Sequence, residues 1–111
     1  MKFNLATSTV RKVDKALTIY DLFDGRGFNF DFVIADLNGD HGTHVNHVGD
    51  RVYFVLSGNG RVTVGSENYD VVKDDLIVIA KNTPHSINGT LRFMIITAPP
   101  FDPAHEQSLS S

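Results

Sequence analysis

The chain has 111 residues, a formal net charge of −3 and no cysteine. That length suits a single domain, residues 1–111. The missing cysteines exclude disulfide scaffolds, thiolate zinc sites and cysteine-ligated iron–sulfur clusters. No basic patch stands out, so nucleic acid is not an expected partner. The N-terminus, MKFNLATSTVRK, lacks the apolar run of a signal peptide. No stretch approaches the roughly 18 apolar residues that cross a bilayer. The expectation is a cytoplasmic protein without a membrane partner.

Val, Ile, Phe, Thr and Tyr dominate the apolar set and helix formers are sparse, so the composition leans to β structure. Residues 1–17 read as an N-terminal strand or arm. Runs of strand length follow at 18–23, 28–37, 52–57, 61–64, 69–72, 76–80 and 91–98. In the second run Phe28, Phe30, Phe32 and Ile34 recur at every second residue, the period of a half-buried strand. That stripe reads as core or dimer interface. Residues 52–56 and 76–79 are apolar without alternation, which predicts cover on both faces, inside a closed double sheet or between subunits. Gly and Asn mark turns at Asp24–Gly27, Asn38-Gly39, Gly65 to Asn68, Asn82-Thr83-Pro84 and Asn88-Gly89. Gly58-Asn59-Gly60 carries the strongest hairpin signal, because both glycines accept positive φ. Asp74-Asp75 reads as the turn before a strand. Residues 102–108 predict a short helix after Pro103, and the final SLSS is expected to be disordered. Many short strands with evenly spaced turns predict an antiparallel sandwich or barrel.

Three of the five histidines fall within HGTHVNH, residues 41–47. A strand ending in Gly58, a hairpin, Asp-x-(apolar)₃ and Pro84-His85 follow in that order. This arrangement resembles the cupin superfamily over about residues 18–98. The first cupin motif runs Gly-x₅-His-x-His-x₃₋₄-Glu-x₆-Gly. Anchored on Gly58, it places its Glu at Arg51 and its histidines at His44 and Asn46. The second motif falls on residues 74–88, with His85 at the motif's histidine and Ala80 and Asn82 where Pro and Gly usually stand. The resemblance implies an all-β, double-stranded β-helix (jelly-roll) barrel in one small domain, with residues 99–111 as a C-terminal tail. It also implies an interior that can hold a divalent metal on three His and one Glu. Members act as dioxygenases, isomerases, epimerases, decarboxylases or lyases, or bind sugars without catalysis, so fold does not pick function.

His44 and Asn46 share one face of a strand, because side chains alternate. A bulge at Val45–Asn46 would instead turn His47 inward, giving a site of His44, His47 and His85. Imidazoles suit Fe, Ni or Zn, and Mn is a further candidate. Arg51 is the departure from the motif. A guanidinium cannot ligate a metal. Within about 4 Å of a dication it costs about 8 kcal/mol at an effective dielectric near 20. Asp50 faces away when Arg51 faces in, and Glu67 and Glu106 sit at a turn and in the tail. A site with a transition metal and a site with none are therefore equally compatible with these residues. Arg51 suits the carboxylate or phosphate of a small acid, with Tyr53 and Asn46 beside it. It also suits an internal ion pair that seals the barrel. His41 and His105 read as surface residues. Three classes follow: a metal-dependent oxygenase or isomerase/lyase acting on a small anionic molecule, a metal-free cupin that binds an acid or sugar, and a structural dimer with a filled barrel. A homodimer is expected in each, and no catalytic residue is singled out.

Overall fold

A computed structural model of the chain describes residues 1–109. Eight strands are described: β1 (Thr9–Lys12), β2 (Leu17–Phe23), β3 (Asp31–Asn46), β4 (Asp50–Val64), β5 (Glu67–Val72), β6 (Leu76–Ile79), β7 (His85–Ala98) and β8 (Glu106–Ser108). Every pairing is antiparallel, in the order β1-β2-β3-β7-β4-β5, with β6 added to β4 and β8 to β3.

Three long strands make the barrel. β3, β4 and β7 have 16, 15 and 14 residues, and β3 and β4 change partners along their length. β4 pairs with β6 through residues 51–54 and with β5 through residues 59–64. β3 pairs with β2 through residues 32–37 and with β8 through residues 44–46. Each long strand so contributes to two facing sheets, and the all-β jelly-roll barrel stands. Register shifts between Asp40 and Thr43 in β3, and between Val55 and Ser57 in β4, supply the extra bend and twist.

The side chains between the sheets follow period 2. Tyr53 and Val55 of β4, Ile77 and Ile79 of β6, Ile87, Leu91 and Phe93 of β7, and Leu17 and Ile19 of β2 form one buried cluster. Alternation thus governs β4 and β6, so within the chain only one face of each is covered. Leu76 and Val78 are 56% and 66% exposed on the outside of the barrel.

Several local expectations are corrected. Gly58-Asn59-Gly60 is no hairpin. β4 runs through it, because Asn59 and Gly60 are paired on both sides, with Val72 and Val71 of β5 and with Thr90 and Gly89 of β7. The reversal comes at Gly65-Ser66. Asn38-Gly39 and Asn88-Gly89 likewise lie inside β3 and β7. Gly39, Gly89 and Gly60 face one another in a row across the three long strands. Residues 28–30 precede β3 rather than open it, and the rings of Phe3, Phe28 and Phe30 cluster around Phe23 at centroid distances of 5.4–5.5 Å. Residues 102–108 form a single 3-10 turn, Pro103–His105, and then β8, not a helix. Ser108 is paired with His44 and the Leu109 N–H donates to the Thr43 carbonyl at 2.8 Å, so SLSS is ordered at its first two residues, while Ser110 and Ser111 lie outside the described residues.

Candidate functional site

The barrel is not filled. A cavity of about 330 Å³ opens between the sheets, in the range of small-molecule pockets. Leu17, Ile19, Val33, Ile87, Phe93 and Ile95 make its apolar walls. His41, His44, Arg51, Tyr53, His85 and Glu106 are among its polar lining, together with acidic groups and Arg11.

Alternation from the buried Tyr53 and Val55 aims Arg51 inward from the start of β4. Its register partners are Thr97 of β7 and Ile79 of β6. The guanidinium is 7% exposed as a residue and uses its whole donor fork. Nε donates to Thr97 Oγ1 at 3.3 Å, and the Nη atoms donate to Glu106 Oε2 and Oε1 at 3.2 and 3.1 Å. Burial alone would lower the Arg51 pKa, but Tyr53 and Glu106 hold it above its ordinary value. Burial would push Glu106 up, yet the hydrogen bonds and charge of Arg51 outweigh it and keep the carboxyl below its usual range. Tyr53 is pushed up by burial, so its hydroxyl stays neutral.

His85 is fixed from both sides. Its Nδ1 lies 3.0 Å from the carbonyl oxygen of Thr83, which only accepts, so Nδ1 carries the proton. The lone pair on Nε2 then receives an N–H from Arg51 at 3.2 Å. Burial lowers the His85 pKa, and the Arg51 charge adds to the effect. The imidazole is neutral at neutral pH, with its metal-binding electron pair taken by a cation.

The other sequence candidates divide. His44 lines the cavity, with Nε2 3.0 Å from the His41 carbonyl oxygen. Asn46 is buried, but its amide serves the protein: Nδ2 donates to Glu106 Oε1 at 3.1 Å, and Oδ1 accepts the N–H groups of Val48 and Gly49 at 3.0 and 2.6 Å. His47 is exposed beyond the end of β3. Its ring nitrogens face Asn82 Oδ1 and Gln107 Oε1 at 3.0 and 2.9 Å. The bulge that would turn it inward is absent, since β3 and β8 stay in register through Asn46. Asp50 faces out, as expected, and accepts the Lys81 N–H at 2.9 Å.

Two participants escape a linear reading. Glu106 comes from the tail, and β8 delivers it because Asn46 pairs with Glu106 across the ladder. His41 is half-buried on the cavity wall rather than on the surface. It stacks on His44 at 4.3 Å, and its Nδ1 lies 2.5 Å from the carboxylate of Asp14 in the β1–β2 connection. The carboxylate can only accept, so Asp14 fixes the proton on Nδ1 and leaves Nε2 as the acceptor.

The donor set does not fit a divalent metal. Among the described residues no three His, Cys, Asp or Glu side chains converge to hold one. The Arg51 charge stands against the one histidine of the second motif, and His47 lies outside the cavity.

The lowered pKa values of His85 and Glu106 predict acid sensitivity. Unfolded His85 takes up a proton as the pH falls through 6.5, while the folded side chain resists it, so stability is intact above 6.5 and drops below it. Glu106 adds a second loss as the pH falls below its ordinary value of 4.5 and through its lower folded one. His47, raised by Gln107 and Asn82, has the opposite sign. Melting temperatures measured downward from about pH 8 should fall below about pH 6.5 in the native protein. His85→Gln should remove that first step and keep the second.

The closed double-stranded barrel and its inward-facing histidine place the chain among β-barrel proteins that keep their sites inside. A cupin-domain family model matches residues 32–97, and the chain belongs to the cupin family. An uncharacterised protein of Methanocaldococcus jannaschii is 32% identical over 69 residues, 59% of this chain and 54% of the relative. The chain spans about half the length of the curated relatives it matches. Pac13 of Streptomyces, a nucleoside dehydratase, superposes with a TM-score of 0.87 at 20% identity, over 99% of this chain and 91% of that one. A protein from Planctomyces limnophilus superposes with a TM-score of 0.86 at 21% identity, over 96% and 94%.

Proposed function

We propose that the barrel binds a small anionic molecule in its cavity, with Arg51 as the anchor and without a metal ion. The observation that carries this reading is the hydrogen bond from Arg51 to His85 Nε2, which puts a fixed positive charge where a cation would have to sit. The apolar walls would take the body of the ligand, and Tyr53, His85 and His44 its polar groups. Elemental analysis of untagged protein, purified at ambient and at low oxygen, should find no stoichiometric Fe, Ni, Zn or Mn. Small organic acids should raise the melting temperature, by the equivalent of about 2.7 kcal/mol at a hundredfold excess over Kd. Arg51→Lys should lose most of that rise, because an ammonium lacks the planar fork. Stoichiometric metal that disappears in a His44→Ala, His85→Ala double variant would overturn the reading.

A second reading, catalysis of the isomerase or lyase class, has one specific observation in its favour. Asp14 orients His41 at the cavity wall with Nε2 as the free acceptor, which is the arrangement of a general base. Pac13, named as a dehydratase, is a small-molecule enzyme on the same fold. A base in this role would lose roughly 10²–10⁴-fold in turnover on His41→Gln, with ligand affinity retained.

The protein is also proposed to be a homodimer. Val52 faces Val78 and Ile96, and Phe54 faces Leu76 and Met94, so these six side chains share the outer face of the barrel. Six neighbouring apolar side chains, two of them more than half exposed, make a patch that soluble monomers rarely leave open. Light scattering should give twice the chain mass, and Val78→Lys should give the monomer.

A further inference from the structure

We propose that Glu106 is a built-in occupant of the cavity's carboxylate subsite, and that the ligand is a small monocarboxylate with an apolar body that replaces it on Arg51. This rests on the anion-binding reading above and adds the chemical class and the competitor.

The subsite is complete without the rest of the tail. Three donors converge on the Glu106 carboxylate: two N–H groups of Arg51 at 3.1 and 3.2 Å and the Asn46 amide at 3.1 Å. A planar fork with a third, lateral donor matches a carboxylate in shape and charge. Each donor is held by something other than Glu106. Thr97, His85 and the face of Phe101, 5.9 Å from the guanidinium carbon, position Arg51. The N–H groups of Val48 and Gly49 hold the Asn46 amide by its oxygen. When Glu106 leaves, the cradle keeps its form.

The segment that carries Glu106 is a short edge attachment: β8 pairs with β3 alone, flanked by the His47 N–H on the His105 carbonyl at 2.9 Å and the Leu109 N–H on the Thr43 carbonyl at 2.8 Å. Asp31 accepts the N–H groups of Thr97 and Phe101 at 3.1 and 2.8 Å, which ties the chain down as far as Phe101. Beyond it come one 3-10 turn and a strand of three residues at the edge of β3. Gln107, Ser108 and Leu109 are exposed. Short edge elements with few buried apolar contacts open at low free-energy cost.

Charge selects the class of ligand. Asp21, Asp24, Asp31 and Glu106 face the cavity against Arg11 and Arg51. Of these, Asp21 is paired with Arg11. A monocarboxylate that displaces Glu106 leaves the cavity charge as it was. A phosphate dianion brings an extra negative charge beside Asp31 and is disfavoured. The walls of Leu17, Ile19, Ile87 and Phe93 in the same cavity call for an apolar body.

A tethered competitor acts at a high effective concentration, so removing it tightens binding. Calorimetric titration of full-length native protein and Glu106→Gln with acetate, butyrate, benzoate, butyramide and inorganic phosphate tests the idea. Butyrate and benzoate should bind Glu106→Gln about tenfold or more tighter than native protein. Butyramide should show no such gain, and phosphate should bind more weakly than either acid. Hydrogen exchange on native protein gives an arm that needs no variant: saturating butyrate should speed exchange of the amides of residues 106–109 while those of 91–97 stay protected. Equal carboxylate affinity in the two proteins, with unchanged exchange in the tail, would show that Glu106 does not compete, and the proposal falls while the anion pocket stands. If no anion binds either protein, the anion pocket falls and takes the proposal with it.

Discussion

Replacing Arg51 by Met should cost about 3–5 kcal/mol of folding stability, the loss seen when one partner of a buried ion pair is removed. The magnitude comes from what is left behind. Glu106, with its side chain 17% exposed, would keep a carboxylate without its counter-charge. His85 would lose the donor to Nε2, and Thr97 the donor to its hydroxyl. The tail offers a partial escape, since Glu106 can swing out with β8, so the loss should lie toward the lower end. At about 4 °C per kcal/mol for a domain near this size, the melting temperature should drop by roughly 12 °C or more. The double variant Arg51→Met, Glu106→Gln should recover a large part of that drop, because a neutral amide does not need the guanidinium. Both variants should lose binding of small acids. Urea denaturation of the native protein, the two single variants Arg51→Met and Glu106→Gln, and the double variant measures the coupling. Arg51→Met protein within about 1 kcal/mol of native would mean that the pair is a solvated surface contact.

The same side chain shows how far the sequence is legible. Anchoring the first motif on Gly58 put a cation at the position of the expected carboxylate, on the same strand face as Tyr53, with its direction left open. The fold turns that face inward. Its partner was hidden because Glu106 lies 55 residues away and arrives on β8, a three-residue strand that carries no periodicity to read. The carboxylate missing from position 51 is thus present in space, but it grips the arginine. Asp14 and His41 were hidden for a similar reason. A lone Asp in a turn and a His in a polar run each look solvated until the β1–β2 connection brings them within hydrogen-bonding distance. His47, by contrast, was a candidate on spacing alone, and regular pairing of β3 with β8 leaves it outside.

For the fold, the apolar runs placed the strands well, and the turn residues misled. Gly-Asn and Asn-Gly pairs signal reversals because glycine tolerates backbone shapes that other residues do not. That tolerance serves equally when two backbones must pass close together. Gly60 and Gly89 are of this second kind. A single sequence does not tell a turn from a crossing, since the difference lies in what sits on the neighbouring strand. The same ambiguity cut β3, β4 and β7 into shorter pieces and hid the fact that β3 and β4 each change partners along their length.

Gly89 turns this distinction into an expected result. A Cβ on Gly89 would lie 2.5 Å from the Gly60 Cα and 2.6 Å from the Asn59 carbonyl oxygen, both main-chain atoms of β4 that no side-chain rotation can move. Its φ of +129° adds strain for any side chain. Overpacking and strain each cost about 1–3 kcal/mol. Gly89→Ala should therefore lose roughly 2–6 kcal/mol, a large share of the 5–15 kcal/mol that holds a typical domain together. Gly27→Ala is the matched control. Gly27 also has a positive φ, +79°, but a Cβ there meets nothing within 4 Å. It should cost only the strain, about 1–2 kcal/mol. Urea midpoints of the two variants separate crowding from strain. Equal losses would mean that β4 and β7 do not approach so closely at this point. The unequal result carries a functional consequence, because His85 stands four residues before Gly89 on β7 and its Nε2 receives the Arg51 hydrogen bond from β4. Whatever Gly89→Ala protein remains folded has had those two strands pushed apart, and it should bind small acids more weakly than Gly27→Ala protein does.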